Sequence, residues 1–152
     1  MTSTQQNDIK TNIEATVKSY LASFIDAKAQ NDPSLVNRNT SPDCIRQMLP
    51  TSLSGGGSMN NEDYQKVFTQ GMDFAGMKKN TVSDVVIDVD ARKAAVTAVA
   101  ELELPSGDKF NLDFAWFLHL NDDGSKIKKI VEFVDSDTFK GMQQKAPAPS
   151  DG

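Results

Sequence analysis

The chain has 152 residues, 38% of them hydrophobic and 24% charged, with a formal net charge of −5. That length suits one domain with a sizeable core, and the acidic balance argues against nucleic acid or an anionic membrane as a partner, because no basic excess is present to displace counterions from phosphates. A single cysteine, Cys44, and a single histidine, His119, exclude an intramolecular disulfide and a Cys/His zinc cluster.

Residues 1–7 are polar and expected to be disordered, with neither the basic start nor the apolar core of a secretory signal. No stretch is long and apolar enough to span a bilayer as a helix, so the chain reads as a cytoplasmic protein. From Asp8, the expected N-cap, the apolar positions Ile9, Ile13, Val17, Tyr20, Leu21, Phe24 and Ile25 recur at helical spacing and predict an amphipathic helix ending by Asn31. Pro33 stops that helix and opens a short one over 34–37, directly followed by Arg38.

Residues 39–60 are the least regular part. Cys44-Ile-Arg-Gln-Met-Leu49 is a candidate short strand, and Ser54-Gly-Gly-Gly-Ser58 reads as a loop. Its glycines lack the Lys-Ser/Thr that completes a phosphate-binding loop, and no cofactor signature occurs elsewhere. A second helix is predicted over 61–74, capped by Asn60 or Asn61, carrying Tyr64, Val67, Phe68 and Met72, and ended by Gly76. The period then switches to two, predicting four consecutive strands over 79–89, 94–104, 110–120 and 126–136. The last two flank Asn121-Asp-Asp-Gly124, a strong hairpin signal. A Pro-rich tail over 143–152 is expected to be disordered, which leaves 8–142 as one domain. Helices supplied ahead of a strand meander predict an α+β fold, in which the helices pack on a curved antiparallel sheet and close it into a cone with a cavity.

In the last strand, alternation places Glu132 on one face with Ile130 and Val134. It is either a solvent-facing or salt-bridged residue or a pocket acid with a raised pKa, suited to proton transfer. In the third strand Asp113 shares a face with Asn111, Ala115, Phe117 and His119, opposite a wholly apolar face. Asp113 is either a second pocket acid or an exposed strand residue, and His119 either a surface residue or a catalyst. Tyr20 is expected in the core with its hydroxyl reaching the cavity. Cys44 has no visible base partner for a nucleophilic role, and Met48, Met59, Met72 and Met77 provide core packing or an adaptable cavity wall.

The element order, with Ser41-Pro-Asp-Cys44, Pro50-Thr-Ser-Leu53, Val86-Ile-Asp-Val-Asp-Ala-Arg-Lys93 and Ile127-Lys-Lys-Ile-Val-Glu-Phe-Val-Asp-Ser136, resembles the NTF2-like fold and within it the SnoaL-like proteins of fungal secondary-metabolite clusters. The resemblance spans about residues 8 to 140 and implies a cofactor-independent isomerase or cyclase acting on an apolar polycyclic intermediate of terpenoid or alkaloid type. Some members of the group carry out semipinacol-type rearrangement with an arginine after the first helix and a glutamate on the last strand; the matching residues are Arg38 and Glu132. Tyr20, Phe24, Asp113 and Phe117 are the expected substrate contacts. A non-catalytic ligand-binding or dimerisation module is the alternative, and a dehydratase using His119 beside Asp113 a third reading. A homodimer is expected because the outer sheet face carries apolar residues.

Overall fold

The computed structural model describes residues 1–145; of the tail expected to be disordered over 143–152, residues 143–145 are instead helical, and the rest of that expectation lies outside the described residues. Helix α1, Ser3–Gln30, starts ahead of Asp8 because Thr2 and Gln5 form a capping box: Thr2 Oγ1 accepts from the Gln5 amide at 3.1 Å and Gln5 Oε1 from the Thr2 amide at 2.8 Å. Asn31 ends the helix in the left-handed conformation, with φ 51°. The expected apolar stripe is the buried face, from Ile13 through Val17, Tyr20 and Leu21 to Phe24. A 3-10 turn, Pro33–Asn37, leads into strand β1, Thr40–Leu49, which is longer than the candidate strand read from sequence. Helix α2 (Thr51–Ser54), strand β2 (Ser58–Asn60) and helix α3 (Asn61–Met72) follow, with Asn60 capping α3.

The four long strands are β3 (Gly76–Asp88), β4 (Lys93–Glu103), β5 (Lys109–Leu120) and β6 (Ile127–Val134), each within a few residues of its expected span. Gly76 opens β3 rather than ending a helix. The last of the described residues form helix α4, Ser136–Lys145, an element not read from the sequence; it is capped by Asp135, whose carboxylate accepts from the Asp137 and Thr138 amides.

All six strands form one open, curved sheet in the order β2-β1-β6-β5-β4-β3. The meander is antiparallel as expected, but β1 pairs with β6 in parallel, so the sheet is mixed. That pairing is what brings β1 beside Glu132. Between the inner sheet face and α1, Trp116 stacks on Phe114 and Phe24 and meets Tyr20 edge-on, with centroids 5.2, 5.6 and 5.5 Å apart. These N-terminal helices on a curved sheet are the predicted α+β cone.

The β5–β6 turn locks onto α1: Asn12 donates to the Asp123 carbonyl and Thr16 to the Gly124 carbonyl, each at 2.8 Å. Gly124 has φ +79°, and a Cβ there would lie 2.7 Å from Ile13 Cγ1 and 3.1 Å from the Ile9 carbonyl oxygen. Gly124→Ala therefore combines a left-handed backbone penalty with overpacking, and is expected to destabilise the fold by about 2–4 kcal/mol. Urea unfolding measures this, and an unchanged midpoint would show that the turn does not brace the helix.

Candidate active site

Strand parity builds the site. On β6, Ile127, Ile130, Glu132 and Val134 face inward, and the Glu132 side chain is buried with only 9% of the residue's surface accessible. Antiparallel β5 sets Trp116 opposite Glu132, while parallel β1 sets Met48 beside it and Arg46 beside Ile130. Arg46 is thus the inward-facing neighbour one pleat away from Glu132. It is 5% exposed, and its guanidinium donates to the Tyr20 hydroxyl at 2.9 Å, to the Val36 carbonyl at 3.0 Å and to Asn37 Oδ1 at 3.0 Å. Its Cζ also lies 3.8 Å from the ring centroid of Tyr64 on α3.

These contacts fix the guanidinium in one orientation and leave its Nε without a partner among the described residues, as is Nε1 of Trp116. No donor hydrogen-bonds the Glu132 carboxyl group among those residues. Loss of hydration therefore outweighs the attraction of Arg46, and the Glu132 carboxyl is pushed up from 4.5 to about 7. Burial, partly offset by Arg46, also raises the Tyr20 and Tyr64 hydroxyls, which stay protonated donors. A cavity of about 20 Å³ lies between Arg46, Met48, Met59, Tyr64 and Glu132. It has room for one water molecule.

No family model matches the sequence. Monooxygenase nsrS of Aspergillus novofumigatus is 28% identical over 138 residues, spanning 86% of this chain and 85% of that protein. Austinoid biosynthesis clusters protein H of Penicillium brasilianum is 27% identical over 129 residues, 82% of this chain and 86% of its own. The crystal structure of BvnE pinacolase from Penicillium brevicompactum superposes with a TM-score of 0.77 over 96% of this chain and 98% of that one, at 21% identity. The chain has the NTF2-like fold.

In this NTF2-like protein Arg38, expected at the cavity mouth, points elsewhere. Its Nη1 pairs with Asp26 at 2.9 Å and its Nη2 donates to the Ser19 carbonyl at 2.8 Å, both on α1, so it clamps the 3-10 turn to the helix. Arg46 occupies the place foreseen for it. Tyr20 and Phe24 are buried beside Trp116, Tyr20 in the core as expected and with its hydroxyl accepting from Arg46. Asp113 and Phe117 are not: both are exposed on the outer face of β5, because Leu112, Trp116 and Leu118 take the inward positions. His119 shares that outer face, and burial together with Lys93, Lys129 and Lys128 lowers its pKa. It stands six residues from Asp113 on the same strand, about 20 Å away, so the dehydratase pairing has no site. The Cys44 thiol is buried and pushed up to about 11, the behaviour of an inert core cysteine.

A larger cavity, about 790 Å³, lies elsewhere, between α1 and the inner face of edge strand β3; Val17, Leu21, Ile25, Val82, Val85 and Ile87 line it. It has the volume for a small molecule but lacks the buried acid and guanidinium.

Proposed function

We propose that the protein is a cofactor-independent isomerase or cyclase of secondary metabolism that rearranges an apolar polycyclic intermediate by proton transfer at Glu132, with Arg46 as the fixed cation. The observation that carries this reading is a carboxyl group with a pKa of about 7 buried one pleat from a hydrogen-bonded guanidinium. Such a carboxyl is divided between acid and base at neutral pH, the condition in which one group can both take and return a proton. In a semipinacol-type step Glu132 takes the proton of a carbinol hydroxyl. The O–H electron pair becomes the new carbonyl bond while a C–C bond leaves the carbinol carbon and forms at an adjacent electron-poor carbon, whose displaced bonding pair passes to a heteroatom that stays in the molecule and takes the proton back from Glu132. Arg46 stabilises negative charge on the oxygen, and the Tyr20 and Tyr64 hydroxyls orient it. The BvnE pinacolase likeness and the biosynthesis-cluster relative support the reaction class.

A polycycle does not fit in about 20 Å³. Productive binding requires Met59 and Met48 to give way, and both sit where this is easiest: unbranched side chains, with Met59 on a strand paired over only three residues.

The test is to accumulate the intermediate in a producing strain lacking this gene and incubate it with purified protein without added cofactor. A product of unchanged mass is expected. A product heavier by one oxygen atom would agree instead with the name of nsrS and overturn the rearrangement. A second reading, a non-catalytic ligand-binding module, is favoured by the 790 Å³ apolar groove; it predicts binding without turnover. Arg38→Ala serves as the control. It removes a half-exposed ion pair of about 0–1 kcal/mol, and turnover is expected to stay within about twofold of the parent; a loss of a hundredfold, the scale of a lost proton-transfer group, would restore Arg38 to the chemistry.

A further inference from the structure

Trp116 is the chain's single tryptophan. It is 2% exposed, on the inner face of β5, directly opposite Glu132 in the β5–β6 register. Side chains so paired lie about 5 Å apart at Cβ. The indole ring is held by Phe114 and Phe24, both stacked on it, and by Tyr20 edge-on. Tyr20 carries the hydroxyl that accepts from Arg46, and the Arg46 Cζ lies 5.6 Å from the centroid of its ring. The indole therefore stands beside both members of the acid–guanidinium site.

Its Nε1 is buried and has no hydrogen-bond partner among the described residues. Arg38, Arg46, Asn61 and Asn80 also leave one buried atom each without a partner, but each uses another atom of the same group in a hydrogen bond. An indole has one hydrogen-bonding group, a donor, so the whole polar capacity of Trp116 is unspent. A buried donor left in this state lowers the stability of the fold. A phenylalanine would pack against Phe24 and Phe114 without that cost. The N–H thus weakens the fold in which it sits, the pattern of a group whose partner is a ligand.

We propose that the Trp116 indole N–H is a substrate-binding donor, and that the molecule handled at Glu132 carries, besides its carbinol hydroxyl, a carbonyl or ether oxygen that accepts from it. The inference rests on the rearrangement read for Glu132 and Arg46 and adds a specificity-determining contact to it. A carbonyl or ether oxygen suits the position because it accepts and brings no hydrogen of its own. A hydroxyl also accepts, but its hydrogen would face the rings of Phe24, Phe114 and Tyr20, which offer no strong acceptor. Glu132 and Trp116, on adjacent strands, then hold the substrate at two points. A few placed polar groups of this kind fix the orientation of a polycycle that apolar packing alone leaves free to slide.

A single tryptophan permits a test that removes one hydrogen-bonding group and little else. Growth of a tryptophan-auxotrophic host on β-(3-benzothienyl)alanine replaces the indole N–H by sulfur and keeps the shape and stacking of the ring. The probe is the intermediate accumulated in the strain lacking this gene. Its KM is expected to rise about five- to tenfold, the worth of one neutral hydrogen bond, with kcat within about twofold of the parent and a melting temperature equal to or above it. In a second measurement the same intermediate is added to Glu132→Gln, which keeps Trp116, and the one indole nitrogen-15 and proton resonance is expected to move downfield to saturation. An unchanged KM, or an indole resonance that stays in place while the intermediate saturates the protein, overturns the proposal. So does a melting temperature that falls with KM unchanged, which would assign the N–H to a contact within the fold. Full turnover by Glu132→Gln overturns the rearrangement reading instead, and the KM comparison still decides the indole contact.

Discussion

Glu132→Gln is expected to lower turnover by about a hundredfold or more, the contribution of a positioned proton-transfer group, while making the folded protein more stable above neutral pH. The sign follows from the shift. Because the folded carboxyl titrates at about 7 and the free one at 4.5, the folded state holds the proton more tightly. No penalty exists below about pH 4.5; it grows as pH rises through that window and is complete above about 7, at on the order of 3 kcal/mol. Gln keeps the shape of the protonated acid and cannot ionise. Thermal melts from pH 5 to 9 should therefore show the parent losing stability with rising pH while the variant loses less, the two curves meeting at the acid end. A variant less stable than the parent at pH 8 would mean that the carboxylate is held by interactions stronger than its burial cost.

Arg46→Met is the second large effect, and it acts on both stability and chemistry. It leaves the Tyr20 hydroxyl, the Val36 carbonyl and the Asn37 side chain without their donor. Buried polar groups so stranded lose about 1–3 kcal/mol each, giving roughly 3–5 kcal/mol in all when neighbours relax. It also removes the cation that, among the described residues, holds the Glu132 pKa down, so the carboxyl should titrate above 7. The acid limb of the pH–rate profile, where Glu132 loses the proton it must shed to act as base, moves to higher pH, and kcat at pH 7 falls. Arg46→Lys keeps the charge but not the planar fork that reaches three acceptors at once, so it should recover the pH profile better than the stability. A Lys variant with full stability would show that the fork geometry is dispensable.

The contrast between these two residues explains how far the sequence could be read. Glu132 was legible because Ile130 and Val134 flank it at a period of two. Arg46 carries the same signal, since Cys44 and Met48 flank it in the same way and all three face inward. What hid it was the irregular composition around β1, with two prolines and a glycine run that read as loop. The parallel β1–β6 pairing joins residues about 85 positions apart, and no local pattern announces such a contact. The meander, by contrast, was legible because each strand meets the next through a short turn with its own residue chemistry. On β5 the alternation separated Asp113 and Phe117 from Trp116 correctly; assigning them to the substrate misjudged which face is the interior. Leu112, Trp116, Leu118 and Leu120 are the larger apolar set, and burial followed area. Helix α4 went unread because its start, Asp135-Ser-Asp-Thr138, continues the strand without a break, and its apolar face is only Phe139 and Met142.

The measurement that tests the central claim most directly needs no substrate: a carbon-detected NMR titration of the Glu132 side-chain carboxyl in the parent protein and in Arg46→Met, with Glu132→Gln used to assign the resonance. A midpoint near pH 7 that moves upward when Arg46 is replaced is the predicted result. A midpoint near 4.5, or one that Arg46→Met leaves in place, would contradict the buried acid–guanidinium site on which the proposed chemistry rests.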